Sequence, residues 1–257
     1  RVLAFVGTFV ALVAWESWAP RRRLAVDRSW RWPNNLAMVV VGTLLLRALF
    51  PLAAVGAALL AADAGWGLFN AWPVAPGPAI LLSVVMLDLA IWAQHRLFHR
   101  LPLLWRMHRM HHADLDIDVT TGLRFHPLEL ALSMLIKVAV VLLIGAPPLA
   151  VLAFEVLLNA TSLFSHSNVA LAPRIDAALR WLVVTPDMHR VHHSWDPRET
   201  DRNFGFNLSC WDRFFGTYQE QPRLGHDRMT IGLPQFRDPR ELRLDRMLLQ
   251  PFVATQR

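Results

Sequence analysis

The stretch His95-Arg-Leu-Phe-His99-Arg-Leu-Pro-Leu-Leu-Trp-Arg-Met-His108-Arg-Met-His111-His112 follows directly on a long apolar run and packs five histidines into eighteen residues. His95 and His99 are spaced i, i+4, one turn apart on one helical face, and His108, His111 and His112 are spaced i, i+3, i+4 along another stripe. A second triplet with the same spacing recurs at His189, His192 and His193. With 11 histidines in 257 residues, a given HxxHH is expected roughly 0.02 times by composition, so two of them are not an accident of counting. The spacing predicts a helix leaving the membrane with His95 and His99, a turn near Pro102, and a second helix returning with His108, His111 and His112.

Outward from this stretch the chain is apolar: 54% of its residues are hydrophobic and its mean hydropathy is +0.31, too high for an ordinary soluble domain. Apolar segments at 2–19, 35–62, 79–94, 128–144 and 149–164 predict an all-α protein with about 4–5 membrane segments. The first reads as a membrane helix rather than a signal peptide, because no small-x-small cleavage site follows it. The last two, joined by Gly145-Ala146-Pro147-Pro148, are short enough for a hairpin that does not fully cross. Three regions are expected within one membrane-embedded domain: N-terminal membrane helices over 1–78, a catalytic region over 79–220, and a tail over 221–257. Within the tail, LRLDRMLLQPF has the pattern of a short amphipathic helix on the membrane surface.

The net charge of +6 does not point to nucleic acid, because the arginines flank apolar segments instead of forming a basic patch interleaved with aromatics. The loop 20–34 holds Arg21, Arg22, Arg23, Arg28 and Arg31, while 63–78 and 145–148 hold no Lys or Arg. The positive-inside rule then places 20–34, 95–127 and 165–257 together on the cytoplasmic side, with every histidine cluster on a helical cap there. The single cysteine, Cys210, excludes an intramolecular disulfide and a Cys-rich zinc site.

Neutral imidazole suits Zn, Cu, Fe and Ni. A closed structural zinc site needs only four ligands, so eight or more histidines point to two ions. The HExxH pattern of zinc hydrolases is absent, and an all-histidine pair of irons is the sharpest fit. The ordered series HRLFHR, LWRMHRMHH, RFHPLE, FSHSNV, MHRVHH and NFGFNLSCWDRFFGTY, over roughly residues 80–220, resembles the fatty acid hydroxylase / sterol desaturase superfamily. That resemblance implies an integral membrane oxygenase with a non-haem diiron centre, taking O₂ and electrons from a separate protein, cytochrome b5-like or ferredoxin-like with its reductase. It implies His95, His99, His108, His111, His112, His189, His192 and His193 as ligands, with His166 of FSHSNV as a ninth. His126 of RFHPLE also matches and is a candidate ligand or supporting residue. The substrate implied is a membrane lipid, hydroxylated or desaturated; overexpressed protein could carry zinc in place of iron.

Behind the ligands, Asp88 stands seven residues before His95 and Asn159 seven before His166, each on the same helical face as its histidine and so a candidate partner for the imidazole N–H. Glu129 and Glu155 are either carboxylates of that kind or polar contacts between helices, and Lys137 either snorkels or pairs helices. Asn203, Gly205, Trp211, Asp212, Phe215 and Gly216 match the family's closing motif and read as structural. Two other classes stay open on the residues alone: a membrane hydrolase in which zinc activates water, and a metal-bound scaffold without catalysis.

Overall fold

In the computed structural model, which describes residues 1–254, the chain is helical, and among the described residues extended pairing is limited to isolated bridges. Five apolar elements form the main bundle: α1 (Val2–Trp18), shorter than the membrane helix expected there, α2 (Arg28–Leu49) continued by α3 (Ala53–Ala64) and the short α4 (Leu68–Ala71), then α5 (Pro76–Arg100), α7 (Pro127–Ile144) and α8 (Pro148–His166). The remaining helices build the cap: α6 (Pro102–His112), α9 (Pro173–Leu179), α10 (Pro186–His192), α11 (Pro197–Thr200), α12 (Cys210–Phe214) and α13 (Leu244–Leu249).

Four stretches are long and apolar enough to cross a membrane: Arg28–Ala71, Pro76–Arg100, Pro127–Ile144 and Pro148–His166. The two helices over 128–164 are thus longer than the apolar runs suggested, and long enough to cross. Helices of 18 and 19 residues reach about 27 Å at 1.5 Å per residue, close to the ~30 Å of a hydrocarbon core. The 35–62 run is not one straight helix. It starts earlier, at Arg28, where the Asp27 side chain accepts from Ser29 N at 2.7 Å, and it breaks at Pro51, beyond which Ala53 takes a positive φ of 51°.

Lipid tails are as apolar as leucine, so close packing rather than water exclusion holds such helices together. α3 is accordingly rich in alanine. Ala54 and Ala58 are fully buried against Leu87 and Ile91 of α5, Val141 and Ile144 of α7, and Val151 and Phe154 of α8. At the far end Gly67 and Gly145, both at positive φ, let two backbones meet. A Cβ on Gly67 would stand 2.2 Å from the Gly145 nitrogen, so no other residue fits there.

α5 carries the chain out of the membrane and stops before Pro102, which has no N–H to continue the ladder and holds Leu101 extended (φ −93°, ψ 122°). Pro102 then serves as the first residue of α6, so the helix–turn–helix read around Pro102 is the one observed. The tail's short helix docks on the bundle: Met247 of α13 is fully buried against Met38 and Met110, while Leu249 and Phe252 stay exposed. Arg106 Nε donates to Pro251 O at 2.7 Å, and Arg109 donates to the Gln250 and Val253 carbonyls.

The charges counted for topology also do structural work. Arg31, fully buried, lies in a fork on Asp114 with N···O distances of 2.9 and 2.8 Å. Arg21 pairs with Asp187 and Asp227 of the cap. Glu16, at the end of α1, is equally buried and accepts from Val119 N at 3.1 Å and Asn168 N at 3.0 Å. The N-terminal helices and the cap are thereby locked at one end of the bundle.

Candidate metal centre

The nine histidines expected as ligands converge, buried, in two adjacent groups: His95, His99, His108, His112 and His192 in one, and His111, His166, His189 and His193 in the other. Within each group the potential ligand atoms lie within 4.8 Å of one another. The groups touch, with His112 and His193 stacked at 4.6 Å between ring centroids and His108 and His111 at 5.2 Å.

Hydrogen bonds at the back of the rings fix which nitrogen faces inward. Nδ1 donates to Phe204 O from His95 (2.8 Å), to Arg124 O from His111 (3.1 Å), to Ser162 O from His166 (2.7 Å) and to Arg202 O from His192 (2.7 Å). A carbonyl only accepts, so in these rings the proton sits on Nδ1 and the Nε2 lone pair points at the other histidines. Carboxylates do the same for His108, on Glu129 at 2.7 Å, and for His99, on Asp201 at 3.2 Å.

In two pairs the inward nitrogens then face each other with nothing to share: Nε2 of His192 is 3.0 Å from Nε2 of His95, and Nε2 of His166 is 3.1 Å from Nε2 of His111. Two deprotonated nitrogens at that distance repel, and a cation between them converts the repulsion into binding. Ligands at right angles on bonds of ~2.1 Å would stand about 3.0 Å apart, which is the spacing found. His193 adds an orphan: both its ring nitrogens are buried without a hydrogen-bond partner. The residues therefore fit a pair of metal ions.

Burial first, and repulsion from neighbouring imidazoles second, holds His111, His112, His189, His192 and His193 well below the ordinary histidine value. They are neutral near pH 7, as ligands must be. The unfolded chain binds protons at these residues below pH ~6.5, while the fold resists until lower pH. Stability is therefore full above ~6.5 and falls as the pH drops, by up to ~1.4 kcal/mol per pH unit for each histidine. The melting temperature of the metal-free protein is expected to fall steadily from pH 7 to pH 5; a flat profile would contradict neutral buried rings.

The supporting residues differ from expectation. Asp88 does not stand behind His95: its carboxylate accepts from Asn207 Nδ2 (2.8 Å), Leu208 N (3.2 Å) and Trp211 Nε1 (2.8 Å). Asn159 donates to the Glu155 carbonyl of its own helix at 2.7 Å, away from His166. His126 belongs to neither histidine group; it caps α7 by accepting from Leu128 N and meets Leu248 O through Nε2. Glu129 does hold an imidazole, whereas Glu155 pairs with Lys137 across α7 and α8 at 3.4 Å. Asp201 and the four carbonyls carried no signal in the sequence, since a backbone acceptor has no residue type of its own.

The closing motif positions His95 indirectly. Asp212 accepts from Trp92 Nε1 (3.1 Å), Phe204 N (2.8 Å) and Gly205 N (2.8 Å). With Asp88 it clamps residues 204–211 onto α5 and aims the Phe204 carbonyl at Nδ1 of His95. Gly205 is required there: a Cβ would come 2.8 Å from Val184 and 3.0 Å from the Asp212 carboxylate.

A cavity of about 460 Å³ opens among α2, α5, α7 and α8. Its walls include Val39, Leu46, Leu130 and Met134, and it reaches the metal-site end at Phe125, stacked on His111 at 4.5 Å, and Phe206, 4.9 Å from His95.

No solved structure matches the chain. Among curated proteins it is 31% identical over 152 residues to ornithine lipid hydroxylase OlsE of Rhizobium tropici, covering 59% of this chain and 44% of that protein. It is 31% identical over 140 residues to alkylglycerol monooxygenase of Xenopus tropicalis, covering 53% of this chain and 30% of that one. Over 206 residues it is 29% identical to very-long-chain aldehyde decarbonylase GL1-1 of Oryza sativa subsp. indica, covering 76% of this chain and 30% of that one. The chain thus spans less than half the length of each of these relatives. The fatty acid hydroxylase family model matches residues 80–217, from near the start of the span that delivers His95 to the end of the clamp that positions it, and the chain belongs to that family.

Proposed function

We propose that this protein is an O₂-dependent, non-haem diiron oxygenase that hydroxylates or desaturates a C–H bond of a membrane lipid. The observation that carries the reading is the pair of histidine groups with lone pairs turned inward, set against a cavity between membrane helices whose walls include Val39, Leu46, Leu130 and Met134. His95, His99, His108, His112 and His192 would hold one ion and His111, His166, His189 and His193 the other. The irons, once reduced, supply the activation of O₂ against an unactivated carbon. The chain's own part is placement. Phe204 O, Arg124 O, Ser162 O and Arg202 O hold the rings in one tautomer, Glu129 and Asp201 orient two more, and the cavity wall lays the lipid chain beside them while excluding water.

The relatives support a lipid substrate, since one is named an ornithine lipid hydroxylase and another an alkylglycerol monooxygenase. The cytoplasmic placement rests on the arginines at the cap end and on the absence of Lys and Arg from 63–78 and 145–148. Electrons come in this reading from a separate electron-transfer protein docking on that face.

The test is lipid mass spectrometry of cells with and without the protein, combined with metal analysis. The expected result is one lipid class gaining an oxygen atom or losing two hydrogens, only in air, with about two irons per chain in active protein. Turnover independent of O₂ in a zinc-loaded protein would replace this reading with the hydrolase.

A further inference from the structure

Helix lengths set the depth of the metal site in the bilayer. α7 and α8, of 18 and 19 residues, reach no further than the ~30 Å of a hydrocarbon core. His166, the last residue of α8, therefore stands at the edge of the hydrocarbon, and His95 of α5 lies beside it in the adjoining histidine group. Thr161 precedes His166 by five residues and Asp88 precedes His95 by seven, which puts them about 7.5 and 10.5 Å inside that edge.

Part of the cap reaches down to both. Asn207 donates through Nδ2 to Asp88 at 2.8 Å, and its Oδ1 accepts from Thr161 Oγ1. Trp211 Nε1 donates to Asp88 at 2.8 Å, and Phe215 stacks on Trp92 at 4.3 Å. A second segment comes with them, since Val184 N donates to Asn207 O at 3.0 Å and Ser209 N to Leu182 O at 3.3 Å. Irregular backbone at membrane depth survives only with its polar groups closed by protein. Asp88 closes one of them, the Leu208 N–H, which gives this intramembrane carboxylate a purpose away from the histidines. The outward side chains are apolar: Trp181, Leu182 and Phe214 are 69%, 65% and 79% exposed. Large apolar groups left open together mark a contact surface. Arginines sit on the rings around them, Arg213 over Trp181 at 4.1 Å and over Tyr218 at 3.8 Å, and Arg96 over Trp92 at 5.4 Å. Aromatic rings beside cations are the side-chain mixture of a lipid headgroup layer.

We infer that residues 181–184 and 207–215 form a re-entrant wedge of the cap that inserts into the leaflet on the metal side. Trp181, Leu182 and Phe214 lie among the acyl chains, and Arg213 meets the phosphates. Depth decides the occupant: a surface beside Asp88 and Thr161 is below the reach of a soluble partner and open to lipid. The wedge also carries the clamp that aims the Phe204 carbonyl at His95, so the bilayer braces that side of the metal site. The insertion stands on the fold alone, whatever chemistry the histidines perform.

The experiment places an environment-sensitive dye on single cysteines of the intact, metal-loaded chain in vesicles of phosphatidylcholine and phosphatidylglycerol. Cys210, the one cysteine, is first replaced by serine, and Leu182→Cys and Phe214→Cys are the test sites. Leu135→Cys, on an exposed position of α7, is the lipid reference, and Arg198→Cys, exposed on α11, is the water reference. The quenchers are nitroxide-labelled phosphatidylcholine and aqueous iodide. At both test sites lipid quenching is expected within about twofold of Leu135→Cys, and iodide quenching about threefold or more below Arg198→Cys, as for side chains sunk ~5–10 Å into the headgroup and acyl boundary. Iodide quenching at the level of Arg198→Cys overturns the proposal, because the patch then faces water. Quenching by neither agent overturns it as well, because a second copy of the chain then covers the patch. Metal content equal to that of wild type verifies the fold, and Trp181→Cys replaces a test site that loses its metal.

Discussion

Replacing His166 by alanine is expected to lower bound metal from about two ions to about one per chain and to cut product formation by more than ~100-fold. Its Nε2 stands between those of His111 and His189, at 3.1 and 3.0 Å, and its loss leaves the four-histidine group with three. Disturbing a residue that merely orients a ligand already costs 10- to 100-fold in affinity or activity in comparable sites, so removing a ligand exceeds that. His192→Ala provides the contrast. The five-histidine group keeps four rings, so metal content is expected to stay near two, while turnover still falls because one of the rings that would hold that ion is gone. Metal analysis by mass spectrometry, with the melting temperature as a control for folding, reads both variants. Full metal content and activity in His166→Ala would remove it from the ligand set and return the second group to a structural role.

The histidines were legible because their information is local. Spacings of three and four residues place rings on one helical stripe whatever the tertiary fold, and the apolar runs around them mark membrane helices by length alone. Reading Asp88 and Asn159 from a spacing of seven misled for a geometric reason. Seven residues return to nearly the same face, but about 10.5 Å further along the axis, two turns beyond hydrogen-bond reach of the ring. The actual acceptors come from elsewhere in the chain: Phe204 is 109 residues from His95, and Glu129 is 21 from His108. Such partners are set by how helices cross, which periodicity does not encode. The same holds for the arginines of 20–34. Counted for topology, they gave no hint that Arg31 is buried on the loop that follows His112.

That loop carries the largest expected effect on stability. Arg31 donates to both oxygens of Asp114, at 2.9 and 2.8 Å, to Asp118 at 2.5 Å and to Thr121 Oγ1 at 3.1 Å, with the three charged side chains fully buried. Burial alone would raise the Asp114 carboxyl, but Arg31 and Arg124 hold it down at about 2, so it stays ionised at neutral pH. Arg31→Met leaves two buried carboxylates facing each other without their shared cation, which costs about 3–5 kcal/mol. For a chain of this size that lowers the melting temperature by roughly 10 °C. Arg31→Lys keeps the charge but loses the two-pronged geometry, and its melting temperature is expected between those of wild type and Arg31→Met. If Arg31 mattered only as a positive charge beside the membrane, lysine would match wild type and Arg31→Met would change orientation rather than stability. A second consequence ties the network to the metal site. The loop held by Arg31 runs on to Arg124, whose carbonyl takes Nδ1 of His111 at 3.1 Å and whose Nε donates to Met110 O at 3.0 Å. Loosening the loop frees the His111 ring to change tautomer, so Arg31→Met is expected to release metal from the four-histidine group at temperatures well below unfolding. Metal retention up to the melting point in that variant would show that the ring is held without the loop.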